Sequence, residues 1–518
     1  MNRASTTRST PPVRSAPSTV ERTLDRGPQG PLGWADLVDA PGEGHHGEPL
    51  HRGAAVLASV VHLTDLHLCD AESPARLEHL DHHGDPGAPY ADHLGLVGTY
   101  RPQEILTVQV AAAALGAVQR LAAAPVTGVD LDAVLVTGDV TDNAQRNELR
   151  WYTELMAGQP VAPWSGHPHR SAWVGSRGAG GWWPHFWHPD GAPAGCADDH
   201  PTARYGYPRV PGLVEAARVA VTSPGAGLPV LTVAGNHDTL LQGTVAVTAP
   251  LRALATGAER VVGLAPGQTP LVVREATSPV GPARYTHAPT SPRVAVPADG
   301  ERDPVDPVGP GYWARDVGQV RFVALDTVNP FGGWQGSVDA PQLAWLAEEL
   351  DRSAGRYVVV TSHHPSWTLT NGYAPSGAPE RHLGADVLAL LLRHRGVVAW
   401  VAGHVHAHSH RWHQAPDRAG GLWEVTTSSL VDWPQQLRVL ELAREPGGTL
   451  ALVSTVVDHL GPATWSRDRL GDPANLAALS RALGGNDYRG RGGAGSRARP
   501  AGRAGDRNAV WRLPDPHV

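Results

Sequence analysis

The 518-residue chain contains no lysine, and only two cysteines, two methionines and three phenylalanines. Two thiols, Cys69 and Cys196, exclude a disulfide framework. Cys69 lies two residues beyond His67 and reads as a small buried loop residue rather than a ligand. No apolar run approaches the roughly 18–20 residues of a membrane-spanning helix. Residues 1–34 are rich in Arg, Ser, Thr and Pro and have no apolar centre, so they do not resemble a secretory signal, and no paired-arginine export motif is present. A cytoplasmic protein is the expectation, with export the alternative if the true start lies upstream. The net charge of −7 gives no global attraction to nucleic acid or membrane. Absence of lysine beside abundant Ala, Gly, Pro and Arg is the bias of a GC-rich genome, so the number of arginines carries little functional meaning.

What is present is globular, with 41% apolar and 18% charged residues. Residues 1–53 lack periodicity and read as a disordered N-terminal segment. From 54 onward short apolar runs alternate with helical patterns. The runs are 54–61, 133–137, 229–234, 320–325, 357–361 and 397–402, and the helices 102–124, 341–350 and 385–393. Such alternation argues for an α/β sheet architecture. Beyond 420 the pattern becomes strand after strand, at 422–427, 437–442 and 450–457. One domain over 54–460 is expected, interrupted by a Trp-rich insert near 158–211 and a Pro-rich insert near 256–310. Residues 461–518 read as an extension, with a closing helix at 470–483 and a flexible tail carrying Arg489, Arg491, Arg497, Arg499, Arg503 and Arg507.

Five clusters follow the apolar runs: Asp65-Leu66-His67, Gly138-Asp139, Gly235-Asn236-His237-Asp238, His363-His364-Pro365 and Gly403-His404-Val405-His406. In open α/β sheets ligands collect beyond the carboxyl ends of strands, which directs all five to one edge. Carboxylates, imidazoles and one amide carbonyl, without a thiolate, suit two hard-to-borderline metal ions in one pocket. Paired ions are an established device for phosphate-ester hydrolysis. One geometric condition applies. In a strand Asp65 and His67 would point the same way but well apart, so they share an ion only if the backbone turns between them. Gly-Asp recurs at Gly84-Asp85, Gly471-Asp472 and Gly505-Asp506, but none of these follows a clear strand.

In this order the motifs resemble those of the calcineurin-like metallophosphoesterase superfamily, across roughly residues 56–457. The resemblance implies a four-layer α/β/β/α sandwich of two packed mixed sheets flanked by helices. It implies one metal ion held by Asp65, His67, Asp139 and His406, and a second held by Asp139, Asn236, His363 and His404. The family's His-x-Pro favours His363 over His364. The implied reaction is attack of a metal-bridging hydroxide on phosphorus, with His237 contacting the phosphate and assisting the leaving oxygen while Asp238 orients its ring. The cofactors implied are two divalent ions (Mn, Fe, Zn or Co), and the partner a small-molecule phosphate ester.

Departures from known branches narrow the field. Purple acid phosphatases have tyrosine where this chain has Asp142, and protein Ser/Thr phosphatases have Asp-Arg-Gly where it has Asp142-Asn143-Ala144. Asp65-Leu66-His67-Leu68 and His363-His364-Pro365 are closer to bacterial phosphodiesterases of the cyclic-nucleotide type. A group of actinobacterial phosphoesterases with long inserts is also similar around Asp139–Glu148 and at Asp432-Trp433-Pro434-Gln435. Phosphodiesters are therefore the expected substrates. A phosphomonoesterase, and a metal-binding scaffold without turnover, stay open as alternatives. A nuclease rests on the arginine tail alone. Arg101 and the Trp-rich insert are the expected pocket wall.

Overall fold

The structure is a computed structural model that describes residues 18–85, 87–94, 100–276, 283–285, 287–305, 311–490 and 499–518. The expected disorder of residues 1–17, and the tail arginines Arg491 and Arg497, lie outside the described residues. Two six-stranded mixed sheets dominate the molecule. Their strands and principal helices run in chain order. They are β1 (Ala55–Leu63), α1 (Thr107–Arg120), β2 (Ala133–Thr137), α2 (Arg146–Met156), β3 (Val230–Val233), β4 (Trp313–Val317) and β5 (Val320–Ala324). Next come α3 (Ala340–Arg352), β6 (Tyr357–Thr361), α4 (Gly384–Arg393), β7 (Val397–Ala402), β8 (Ser409–Gln414) and β9 (Gly421–Thr426). The chain closes with β10 (Gln436–Glu445), β11 (Thr449–Asp458), α5 (Pro473–Gly485) and β12 (Ala509–Pro514).

The first sheet has the order β12-β11-β10-β1-β2-β3 and the second β4-β5-β6-β7-β9-β8. Within them β1, β2 and β3 are mutually parallel, as are β5, β6, β7 and β9. Successive side chains leave a strand on opposite faces. Val60 thus enters the core between the sheets with Leu135, Val233, Phe322, Val359, Val401 and Leu440. Val61 enters the outer core with Leu115, Trp151, Leu155 and Ala477 of α1, α2 and α5. On the far side Val358, Val360 and Trp400 meet Leu346 and Leu350 of α3 and Leu390 and Leu391 of α4. Burial on both faces is why the parallel strands read as unbroken apolar runs. Helices on both outer faces make the four-layer α/β/β/α sandwich.

Two expectations are corrected at the chain's ends. Within the segment expected to be disordered, Arg22–Gln29 and Ala35–Pro41 form an antiparallel pair. Leu37 anchors it against Trp433 and Ala482, with Leu24 and Trp34 packed alongside. These few apolar residues, spaced among Pro, Gly and charge, give too weak a period to read as strands. The C-terminal extension is likewise built into the fold, since β12 closes the first sheet beside β11. Arg489, read as part of a flexible tail, has its side chain buried and ion-paired with Asp81 and, at 2.9 Å, with Asp85. The nuclease reading loses that cation. Among the described residues no helix is long and apolar enough to cross a membrane.

Candidate metal centre

All five clusters lie just past the carboxyl ends of parallel strands: Asp65 after β1, Asp139 after β2, Asn236 after β3, His363 after β6 and His404 after β7. The required turn between Asp65 and His67 is present, with φ of 53° and 45° respectively. Asp139, His404 and His406 also have positive φ, at 49°, 66° and 50°. Such backbone costs a non-glycine residue on the order of 1–3 kcal/mol and persists where the surroundings over-determine it. Here they do. Asp65 and His67 donate their main-chain N–H groups to the carbonyls of Gly138 and Asp139, at 3.1 and 2.9 Å. Two glycines admit the close approach: a Cβ on Gly235 would collide with the Asp139 carboxylate, and one on Gly403 with the Thr64 hydroxyl.

The side chains converge in two groups. Asp65, His67, Asp139 and His406 offer ligand atoms that all lie within 4.8 Å of one another. His406 Nε2 is 3.1 Å from Asp65 Oδ1, and His67 Nε2 is 3.5 Å from Asp139 Oδ2. In the second group His363 Nε2 is 3.3 Å from Asp139 Oδ2 and 3.1 Å from Asn236 Oδ1. His404 Nδ1 is 3.0 Å from the same Asn236 oxygen. Asp139 Oδ2 therefore faces both groups. His67 Nε2 is buried without a hydrogen-bond partner, a costly condition unless something else satisfies it, and buried Asp65 Oδ1 has only the His406 ring beside it, 3.1 Å away. Carboxylate and imidazole atoms left this way fit a cation.

The other nitrogen of three rings is engaged, which fixes each ring. His363 Nδ1 donates to the Thr137 carbonyl at 2.7 Å, His67 Nδ1 meets Asp142 Oδ1 at 3.1 Å, and His406 Nδ1 meets Asp432 Oδ2 at 2.8 Å. This is how metal-ligating histidines are oriented in general. His364 lies beside His363 and His404, but both its nitrogens are taken, by Thr327 Oγ1 at 2.8 Å and the Trp334 carbonyl at 3.0 Å. Burial lowers the pKa of His406, yet Asp65 and Asp432 more than offset it and hold the ring up to about 10. Burial likewise lowers His363, and Asp139 raises it to about 9. Burial and the neighbouring His237 bring His67 down to about 4.

Two expectations need correction. Arg101 does not line a pocket: it is buried, and its guanidinium grips Asp432 at 2.8 and 3.1 Å. It thereby secures the carboxylate that holds His406. Asp238 does not touch the His237 ring. Its oxygens accept from the main-chain N–H of Gly235 at 2.8 Å and of Thr141 at 2.9 Å, so it ties two loops together instead. The His237 ring is placed by residue 142, with Nδ1 3.0 Å from the Asp142 carbonyl oxygen and 3.4 Å from its carboxylate. Of the insert's tryptophans, Trp173 and Trp187 are wholly buried, whereas Trp164, Trp182 and Trp183 keep part of their surface.

Asp142 and Arg76 are the residues that motif reasoning missed. Asp142 touches both His67 and His237, and its own charge is balanced by Arg76, which also pairs with Glu78 at 2.8 Å and Glu104 at 2.7 Å. The Trp173 indole donates to Glu104 at 2.7 Å, connecting the insert to this network. Position 142 had a signal in its spacing from Asp139; Arg76 had none. For Asp432→Asn, which keeps volume but removes the charge behind His406, metal affinity is expected to fall about 10–100-fold. Metal titration checks this, with circular dichroism confirming an intact fold.

Residues 211–408 match the calcineurin-like phosphoesterase family model. That span contains Asn236, His237, Asp238, His363, His404 and His406, while Asp65, His67 and Asp139 precede it. A crystal structure of a dimetal phosphatase from Danio rerio is 13% identical, covering 78% of this chain and 100% of that one with a TM-score of 0.34. No curated protein matches. Over residues 211–408 the chain is thus similar to calcineurin-like phosphoesterases, in agreement with its motifs.

Proposed function

We propose that the protein hydrolyses small-molecule phosphate esters, diesters in preference to monoesters, with two divalent ions. The observation that carries this reading is the single oxygen, Asp139 Oδ2, that faces two separate sets of nitrogen and oxygen donors. Asp65, His67, Asp139 and His406 would hold one ion, and Asp139, Asn236, His363 and His404 the other. Mixed imidazole and oxygen donors suit Mn, Fe, Zn or Co. When bound, two such ions acidify water and offset charge on phosphoryl oxygens. The chain's own residues supply the rest. Asp139 sets the separation of the two groups, and Asp142, Thr137 and Asp432 keep three rings turned toward them. With Nδ1 tied to the Asp142 carbonyl, His237 has Nε2 left to pass a proton to the departing ester oxygen.

Metal binding should release protons. His363 and His406 carry folded-state pKa values of about 9 and about 10, above the ordinary imidazole value of about 6.5. Their contribution to the stability of the metal-free fold is complete below that ordinary value and fades as pH rises through 9–10. Ligation requires both rings neutral at the donor nitrogen. Uptake near pH 7.5 is thus expected to release about two protons, visible as a dependence of binding enthalpy on buffer ionisation. Enthalpies identical across buffers would contradict it. Substrate class is tested by turnover of bis-p-nitrophenyl phosphate against p-nitrophenyl phosphate. A higher kcat/KM for the diester supports the proposal; a preference for the monoester makes the protein a phosphatase.

A further inference from the structure

Of the chain's 17 tryptophans, Trp334 is the one whose surface is exposed, at 46%. It lies beside the candidate centre, with its ring 5.8 Å from that of His404 and inclined by 28°, close to parallel. The loop that presents it is fixed. The Trp334 carbonyl accepts from His364 at 3.0 Å. Gly336 donates to the Thr368 carbonyl at 3.1 Å and Ser337 to that of Thr327 at 3.0 Å. The Asn371 side chain donates to the Gly332 carbonyl at 2.9 Å, and that of Asn329 to the Tyr373 carbonyl at 2.9 Å. A rigid backbone holding a bare indole is the arrangement expected of a preorganised contact, because the loop is already ordered before binding. An indole needed only to pack would be covered, as the other tryptophans largely are.

We propose that Trp334 is a stacking platform for a planar aromatic or heteroaromatic substituent of the phosphate ester, which makes aryl or nucleoside esters the favoured substrate class. This rests on the phosphoesterase reading above. A phosphoryl group at the His404 side of the centre would lie beside the indole, whose ring centroid is 5.8 Å from that of His404. Stacking of this kind accepts any flat π-system and discriminates against a flexible alkyl group.

The test uses ligands that the enzyme cannot hydrolyse and that differ in the ring: phenylphosphonate, the 5′-phosphonate analogue of adenosine, and methylphosphonate. Calorimetric binding to the metal-loaded full chain is compared for wild type, Trp334→Ala and Trp334→Phe, with metal content measured for each. The expected result is a loss of about tenfold for the ring-bearing ligands in Trp334→Ala. Affinity for methylphosphonate and metal content stay constant, and Trp334→Phe recovers most of the loss. The larger of the two ring effects identifies aryl or nucleoside as the source. Equal loss for all three ligands, no loss, or reduced metal content overturns the platform while leaving the phosphoesterase reading standing. Failure of methylphosphonate to bind the metal-loaded wild type overturns both.

Discussion

Asp139→Asn is expected to lower turnover of phosphate esters by roughly a thousandfold or more, the scale of several kcal/mol of lost charge stabilisation, and to deplete both metal ions together. Both oxygens of this carboxylate are in use. Oδ2 faces His67 and His363, and Oδ1 accepts the main-chain N–H of His237 at 2.7 Å. An amide removes the charge from the point where the two donor groups meet and offers one oxygen for two tasks. Elemental analysis and kcat/KM on the same preparation check the result. Near-normal metal content, or activity within tenfold of wild type, would show that the two groups do not share Asp139.

His237→Ala is expected to do something different, lowering kcat by about 10²–10⁴-fold, the range for a positioned acid or base, with metal content unchanged. The distinction follows from geometry. The ring sits edge-on to His67 with centroids 4.2 Å apart, and it remains 8% exposed. Its Nδ1 is committed to the Asp142 carbonyl. The main-chain N–H that braces Asp139 survives the substitution, so the ligand shell stays in place. Parallel loss of metal and activity would assign His237 a structural part only.

Strands and chemistry were legible in the sequence for the same reason. Strands buried on both faces must be apolar throughout, so 133–137, 357–361 and 397–402 stand out with the bounds the structure gives them. Polar clusters after such runs have few bland explanations. Edge elements were not legible. Ser409–Gln414 alternates His, Trp and Arg on a half-open edge, and Ala509–Pro514 is a short run after an arginine-rich stretch. The residues that orient the ligands were hidden more deeply. Asp142, Arg76 and the Arg101–Asp432 pair orient the ligands through contacts spanning 26 to 331 positions of sequence, and no local period encodes such a meeting. Asp238 misled because adjacency to His237 suggested contact, whereas the short 3-10 turn over Asn236–Asp238 sends the two side chains to different partners.

Two ions sharing the Asp139 carboxylate are expected to support ester hydrolysis together. The most direct measurement strips the protein with chelator and restores Mn, Fe, Zn or Co in steps. Bound metal and bis-p-nitrophenyl phosphate hydrolysis are then followed together. Uptake to two ions per chain is expected, with activity completed only as the second binds. Saturation at one ion, or two bound ions with no hydrolysis of any phosphate ester, would contradict it.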